Sequence, residues 1–281
     1  MKIAVASGKG GTGKTTVAVN MAVSLGNAQL LDCDVEEPNC NLFLGHPLQK
    51  VRDVGIQIPS ISRDKCNSCR KCAEACRFNA LAVLPTGIML FPQLCHGCGA
   101  CSLVCPQDAI SETTHVIGTV ERSASSARRV ELYQGVLNIG EPMASPVIRA
   151  LKQYIDDSRT VILDSPPGTS CPVISSITGT DYCILVTEPT PFGLHDLLLA
   201  VELVKELQIP YGVIINRHGT GDDSVEGYCY ENNIPVLMKI PYDRRITELY
   251  SEGIPFVLQM PHWKDQFLNL FIKLQVLTGR Y

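Results

Sequence analysis

The chain has 281 residues, 45% of them hydrophobic, enough for one large core or a core with a satellite module; disorder is excluded. A formal net charge of -4 gives no general attraction to nucleic acid or anionic lipid, so no nucleic-acid partner is expected and any acidic partner must dock locally. The longest apolar runs are strand-sized, far below the roughly 20 residues of a membrane span. The first residues already read as a strand and a glycine loop, which leaves no room for a secretory signal, so a cytoplasmic location is expected.

Residues 2–6 read as a buried strand, and a glycine loop then leads into an apolar helix from about 15 to 25. Residues 29–32 form a second short strand, after which the α/β alternation stops until about Val130. Strands are expected again at 160–163, 182–186, 211–215 and 236–240, with helical stretches between them. This pattern predicts an α/β fold: a mainly parallel sheet, helices on both faces, and active loops at the carboxyl ends of the strands. The expected organisation is one α/β domain in two parts, residues 1–58 and 119–281, interrupted by an inserted module at 59–118. Ser123 to Arg129, SASSARR, reads as a linker back into the main domain.

GKGGTGKT, from Gly8 to Thr15, satisfies GxxxxGK[ST] between an apolar strand and an apolar helix. Gly8, Gly10, Gly11 and Gly13 let the backbone turn its amides around phosphates, and the helix adds its positive amino end. Thr12 and Thr16 belong to the same nucleotide contacts, Lys14 is placed to reach the β and γ phosphates, and the Thr15 hydroxyl is placed to ligate Mg²⁺. A plain glycine turn would need neither the lysine nor the hydroxyl.

A second lysine, Lys9, gives KGGTGKTT, which resembles the deviant Walker A motif of the MinD, ParA, Mrp and nitrogenase iron protein class of P-loop ATPases. The resemblance implies ATP and ADP as ligands and an ATP-sandwiched dimer, with itself or with a paralogous ATPase, in which Lys9 reaches the partner's nucleotide. A cation beside the transferring phosphoryl group stabilises transition-state charge as an arginine finger does. By the same resemblance Asp34 positions the attacking water or Mg²⁺, and Asn39 lies in the switch I segment. Asp164 of DSPPG is then the Walker B carboxylate, Gly168 senses the γ-phosphate, and Asn216 and Arg217 contact adenine. An aspartate that ends a strand is by itself as often a helix cap.

Eight of the thirteen cysteines fall in two tight runs. KCNSCRKCAEACRFNAL from Lys65 repeats as LCHGCGACSLVCPQDAI from Leu94, 29 positions later. Cys66, Cys69, Cys72 and Cys76 follow CxxCxxCxxxC, as do Cys95, Cys98, Cys101 and Cys105, a spacing that suits two [4Fe-4S] clusters. In two-cluster ferredoxins the fourth cysteine serves the other cluster, so one set is Cys66, Cys69, Cys72 and Cys105 and the other Cys95, Cys98, Cys101 and Cys76. Paired CxxC units also bind zinc, but the doubled three-plus-one pattern favours the clusters. So short a repeat cannot bury a proper core, and the metal-free module is expected to be unfolded. Lys65, Arg70, Lys71 and Arg77 make the first half basic, while residues 94–105 carry no Lys or Arg. That edge is expected either to dock an acidic partner or to raise one cluster's potential, with a plain solvated face as the alternative.

Taken whole, the chain resembles MinD-superfamily ATPases that contain an inserted ferredoxin domain. The resemblance implies a dimeric, ATP-hydrolysing switch that gates electron transfer, or cluster assembly and delivery, toward a redox or cluster-acceptor protein. The alternative is an ATP-dependent scaffold in which the clusters only fold the insertion. Cys171 is a minor cluster-ligand candidate. Trp263, Phe267, Leu270, Phe271 and Leu274 lie at helical spacing and are expected to dock onto the domain itself rather than onto a membrane.

Overall fold

A computed structural model describes residues 1–45, 47–123 and 129–279; most of the SASSARR linker, residues 124–128, lies outside them. In chain order β1 (Lys2–Ala6), α1 (Lys14–Leu25), β2 (Ala28–Asp32) and α2 (Cys40–Leu44) open the fold. They are followed by β3 (Leu48–Ile61), α3 (Lys71–Ala75), β4 (Leu81–Leu84), β5 (Gly87–Leu90), α4 (Ala100–Leu103) and β6 (Ile110–Ser123). Next come β7 (Glu131–Leu137), α5 (Ala144–Lys152), β8 (Thr160–Asp164), α6 (Cys171–Ile177), β9 (Tyr182–Thr187) and α7 (Pro191–Glu206). The chain closes with β10 (Tyr211–His218), α8 (Ser224–Glu231), β11 (Val236–Pro241), α9 (Arg244–Ser251) and α10 (Pro261–Thr278).

The main sheet has the order β11-β10-β9-β1-β8-β2-β7-β6-β3, and its members from β11 to β7 run parallel. Strand β1 lies between β8 and β9 and is buried on both sides, which is why it reads as a continuous apolar run. Its alternation divides the core. Ile3 and Val5 join the layer of α1 and α10, whereas Ala4 and Ala6 join the layer of α6 and α7. Helix α10 buries Trp263, Phe267, Leu270 and Leu274 against this first layer, with Phe271 partly buried beside them. The C-terminal segment thus packs on its own domain. Among the described residues no helix is long and apolar enough to cross a membrane.

The interruption between β2 and β7 differs from the sequence expectation. Two 14-residue strands, β3 and β6, pair antiparallel from Leu48↔Ser123 to Ile61↔Ile110 and extend the main sheet. Only the near part of β6 pairs with β7, from Gly118↔Leu137 to Arg122↔Tyr133. The far part is a two-stranded ribbon that carries residues 62–109 away from the sheet. Strand β3 lies at the sheet edge, contains Pro59 and exposes half of its residues; only Val54, Ile56 and Ile58 alternate toward buried clusters, a run too short to announce the whole strand.

The cysteine repeat is also a structural repeat. Ala80 N–H donates to Cys76 Sγ at 3.3 Å and, 29 positions on, Ala109 N–H donates to Cys105 Sγ at 3.3 Å. Helices α3 and α4 begin at equivalent positions, and Asn79 and Asp108, which follow the last cysteines, both take positive φ, 53° and 45°.

Candidate nucleotide site and cysteine pockets

The phosphate loop joins β1 to α1 at the carboxyl edge of the parallel strands. Gly13 sits at φ 96°, and a Cβ there would meet Asn216 Nδ2 at 2.3 Å, so only glycine fits. Asn216 Nδ2 donates to the Thr12 carbonyl at 2.8 Å, which ties the end of β10 to the loop. Lys14 is buried to 7% exposure, and together with Gly10, Gly11, Gly13, Thr15 and Thr16 it lines a cavity of about 370 Å³. Asp34 and Asn39 border the same cavity, as do Asn216 and Arg217 near Tyr242 and Tyr250. Gly8 is held where a Cβ would meet the Asp196 carbonyl oxygen at 2.0 Å, and Gly168 N–H donates to the Ser7 carbonyl at 3.0 Å. The phosphate loop and the DSPPG turn are therefore bonded to each other.

Behind the loop lie two wholly buried carboxylates. Thr15 Oγ1 donates to Asp164 Oδ2 at 2.6 Å, and Asp164 Oδ1 has no hydrogen-bond partner. Asp32 accepts from the N–H groups of Asp34, Asn39 and Cys40 at 3.2, 2.9 and 2.9 Å and so fixes the segment after β2. Asp32, Cys40 and Asp164 lie within 4.8 Å of one another, and the Cys40 thiol donates to Asp164 Oδ2 at 3.5 Å. Burial, then the nearby Asp32, pushes Asp164 up to about 7. Burial likewise raises Asp32, against the three backbone donors that favour its charge. Asp34 is pushed up to about 6, by burial and then by Asp32, with Lys14 opposing. An orphaned carboxylate oxygen beside the Thr15 hydroxyl fits a divalent cation, which would relieve both the missing partner and the crowding of negative charge.

Lys9 does not enter its own cavity. Its Nζ lies 3.7 Å from Glu188 Oε2, while Arg217 Nη1 lies 2.6 Å from Glu188 Oε1. Sequence reasoning missed Glu188, Asp32 and the two tyrosines. The available signal for Glu188 was its position just after β9, at the same edge as every other site residue.

Within residues 62–109 the eight cysteines gather into two pockets. One is lined by Cys66, Cys69, Cys72 and Cys105; the other by Cys76, Cys95, Cys98 and Cys101. Each takes three cysteines from one half and the fourth from the other. All thirteen cysteines are free thiols, and four soft donors around each small cavity fit a thiolate-bound metal group. Burial raises the Cys72 and Cys101 thiols, so such a group would have to displace their protons. Phe78 stacks on His96 at 3.7 Å beside the second pocket. Cys171 is exposed at the start of α6 and does not line either pocket.

A glycine loop between strand and helix, with a lysine and a hydroxyl converging on a buried aspartate, defines a P-loop nucleotide-binding protein with a mostly parallel sheet. The chain belongs to the CobQ/CobB/MinD/ParA nucleotide-binding domain family, whose sequence pattern matches residues 3–256. It is 33% identical to an uncharacterized protein of Methanocaldococcus jannaschii over 264 residues, 92% of this chain and 91% of the relative. It is 26% identical to the iron-sulfur cluster carrier protein of Pyrococcus horikoshii over 92% of this chain and 79% of that one. Among solved structures it resembles the septum site-determining protein MinD of Pyrococcus horikoshii in complex with Mg-ADP. The identity is 25% and the TM-score 0.58, over 99% of this chain and 97% of that one.

Proposed function

We propose that the protein is a Mg²⁺-dependent ATPase whose nucleotide state governs two [4Fe-4S] clusters held in the inserted residues, for electron transfer or cluster delivery to a partner protein. The observation that carries this reading is the convergence of the cysteines into two crossed pockets on a ribbon that extends the sheet from β7, the neighbour of β2. The strand β2 ends in Asp32, which holds the Asp34 to Asn39 segment beside the cavity. Lys14 neutralises the β and γ phosphates, and the loop amides cradle them. Thr15 and Asp164 would hold Mg²⁺, which neutralises further phosphate charge when bound. Asp34, raised only to about 6 and so still mostly ionised at neutral pH, orients the attacking water. Lys9, which lies outside its own cavity, is available to a second copy or a paralogue across a nucleotide-bridged dimer. The clusters, when bound, exchange one electron each. The likeness to iron-sulfur cluster carrier proteins of Pyrococcus favours delivery over a purely positional role.

Anaerobic purification followed by iron analysis and redox titration tests the reading. About eight iron atoms per chain are expected for two such clusters. A midpoint shift beyond roughly 30 mV between ADP and a non-hydrolysable ATP analogue, about 0.7 kcal/mol for one electron, would mark a coupled switch. Iron without any nucleotide-dependent shift leaves the clusters as structural parts of a scaffold.

A further inference from the structure

The two halves of the cysteine repeat share a backbone but not a charge. Between its first three cysteines the second half has glycine at both left-handed positions, Gly97 at φ 64° and Gly99 at φ 71°. The first half makes the same turns with Ser68 at φ 56° and Arg70 at φ 68°. Side chains other than glycine are disfavoured in this region, and a departure held in place by its surroundings points to a role for the side chain. Arg70 and its neighbour Lys71 are exposed and line the mouth of the pocket formed by Cys66, Cys69, Cys72 and Cys105. Neither enters an ion pair among the described residues. Around them residues 63–77 hold five cations, Arg63, Lys65, Arg70, Lys71 and Arg77, against two carboxylates, Asp64 and Glu74. The equivalent residues 92–106 hold no charged side chain, and the second pocket is lined by Glu112 with no Lys or Arg. Cys69 is exposed in the first pocket, as Cys98 is in the second, so the pockets differ in charge rather than in access.

We propose that the pocket of Cys66, Cys69, Cys72 and Cys105 is the port at which an acidic one-electron carrier protein docks, with Arg70 and Lys71 as its contact cations. The inference rests on the reading of the pockets as cluster sites. A cationic rim in an otherwise acidic chain steers an acidic protein into register and leaves the second pocket, which has Glu112 and no cation, for internal exchange or delivery. The patch is confined to one pocket mouth, without the extended stripe that follows a phosphate backbone, which favours a protein over a nucleic acid.

The test uses the full chain with its clusters loaded, and the double variant Arg70→Gly with Lys71→Gln. Glycine is the residue the second half uses at this backbone position, so the variant is expected to fold and to keep the parent's iron content. Stopped-flow electron exchange is measured with a strongly acidic plant-type ferredoxin and, as control, with the basic carrier cytochrome c. At low salt the variant should exchange with the acidic carrier about tenfold more slowly, with a flattened salt dependence and no such loss toward cytochrome c. Unchanged rates and salt dependence in an iron-replete variant overturn the port while leaving the clusters standing. Competition by a short DNA duplex as strong as that of the ferredoxin also overturns it, in favour of a nucleic-acid surface. A parent chain that binds no iron overturns both the port and the reading beneath it.

Discussion

Around the phosphate loop, Ile3, Leu30, Ile162 and Phe267 are wholly removed from water and belong to one contiguous cluster that continues through α1 and α10. Between residues 62 and 109 the buried apolar set among the described residues shrinks to Cys72, Ala80, Leu81, Cys95 and Ala109. The body has apolar burial enough to hold itself at about 25 cal/mol per Å². The cysteine module has tight turns, short helices and two sets of convergent thiols, and on the function proposed above its order would depend on what those thiols hold. The contrast teaches that one chain can join a self-sufficient fold to a conditional one.

The sharpest way to break that contrast is to remove the iron. Chelation, or Cys69→Ala together with Cys98→Ala, should speed proteolysis within residues 62–109 by about 100-fold or more, while the body's melting temperature moves by only a few degrees. Equal protection with and without metal would mean that the module folds by packing alone. Phe267→Ala should do the converse. It opens a void in a fully buried layer and should cost the body about 3–5 kcal/mol without changing the iron content of the fraction that remains folded. Lys14→Ala should weaken ATP binding about 100-fold, the worth of roughly 3 kcal/mol of charged hydrogen bonds, with cluster absorption unchanged. Calorimetric titration reads this directly.

Smaller effects concern the buried carboxylates and the early lysine. Asp164 ionises near 3.8 when unfolded and is pushed up to about 7 when folded. The folded, ligand-free chain therefore holds the extra proton between these values, and its stability should fall as pH rises through that window. Differential scanning between about pH 5 and pH 8 should record the fall, and Mg-ATP or Asp164→Asn should flatten it. A melting temperature that instead climbs across this range would mean that other groups dominate. Glu188→Gln removes the charge that holds Lys9 at 3.7 Å and should favour nucleotide-dependent association by about threefold, as a long, partly buried ion pair allows. Sedimentation with a non-hydrolysable analogue reads the change.

Much of this was legible from local pattern. The strand, loop and helix from Lys2 to Leu25 declare themselves because glycine spacing and apolar periodicity coincide there. The cysteines sort themselves by spacing, and the observed pockets follow the crossed sets expected from it. The ribbon of β3 and β6 stayed hidden because only Val54, Ile56 and Ile58 of β3 alternate, while residues 49–53 are mostly polar and exposed and carry no hydrophobic signature. Asp32 was read only as the end of a strand, since its three N–H partners arrive from a turn that becomes visible only in three dimensions. Glu188 was missed for a related reason: Lys9 and Arg217, its partners, are remote from it in the chain.

The ribbon also has an architectural consequence. Because Ile61 faces Ile110 and Ser62 N–H bonds the Ala109 carbonyl at 2.8 Å, the chain leaves and re-enters the ribbon at a single point. Such an insertion is portable. A tight hairpin turn could replace residues 62–109 without rethreading any strand of the sheet, and the excised unit, its ends side by side, could be grafted onto another antiparallel hairpin.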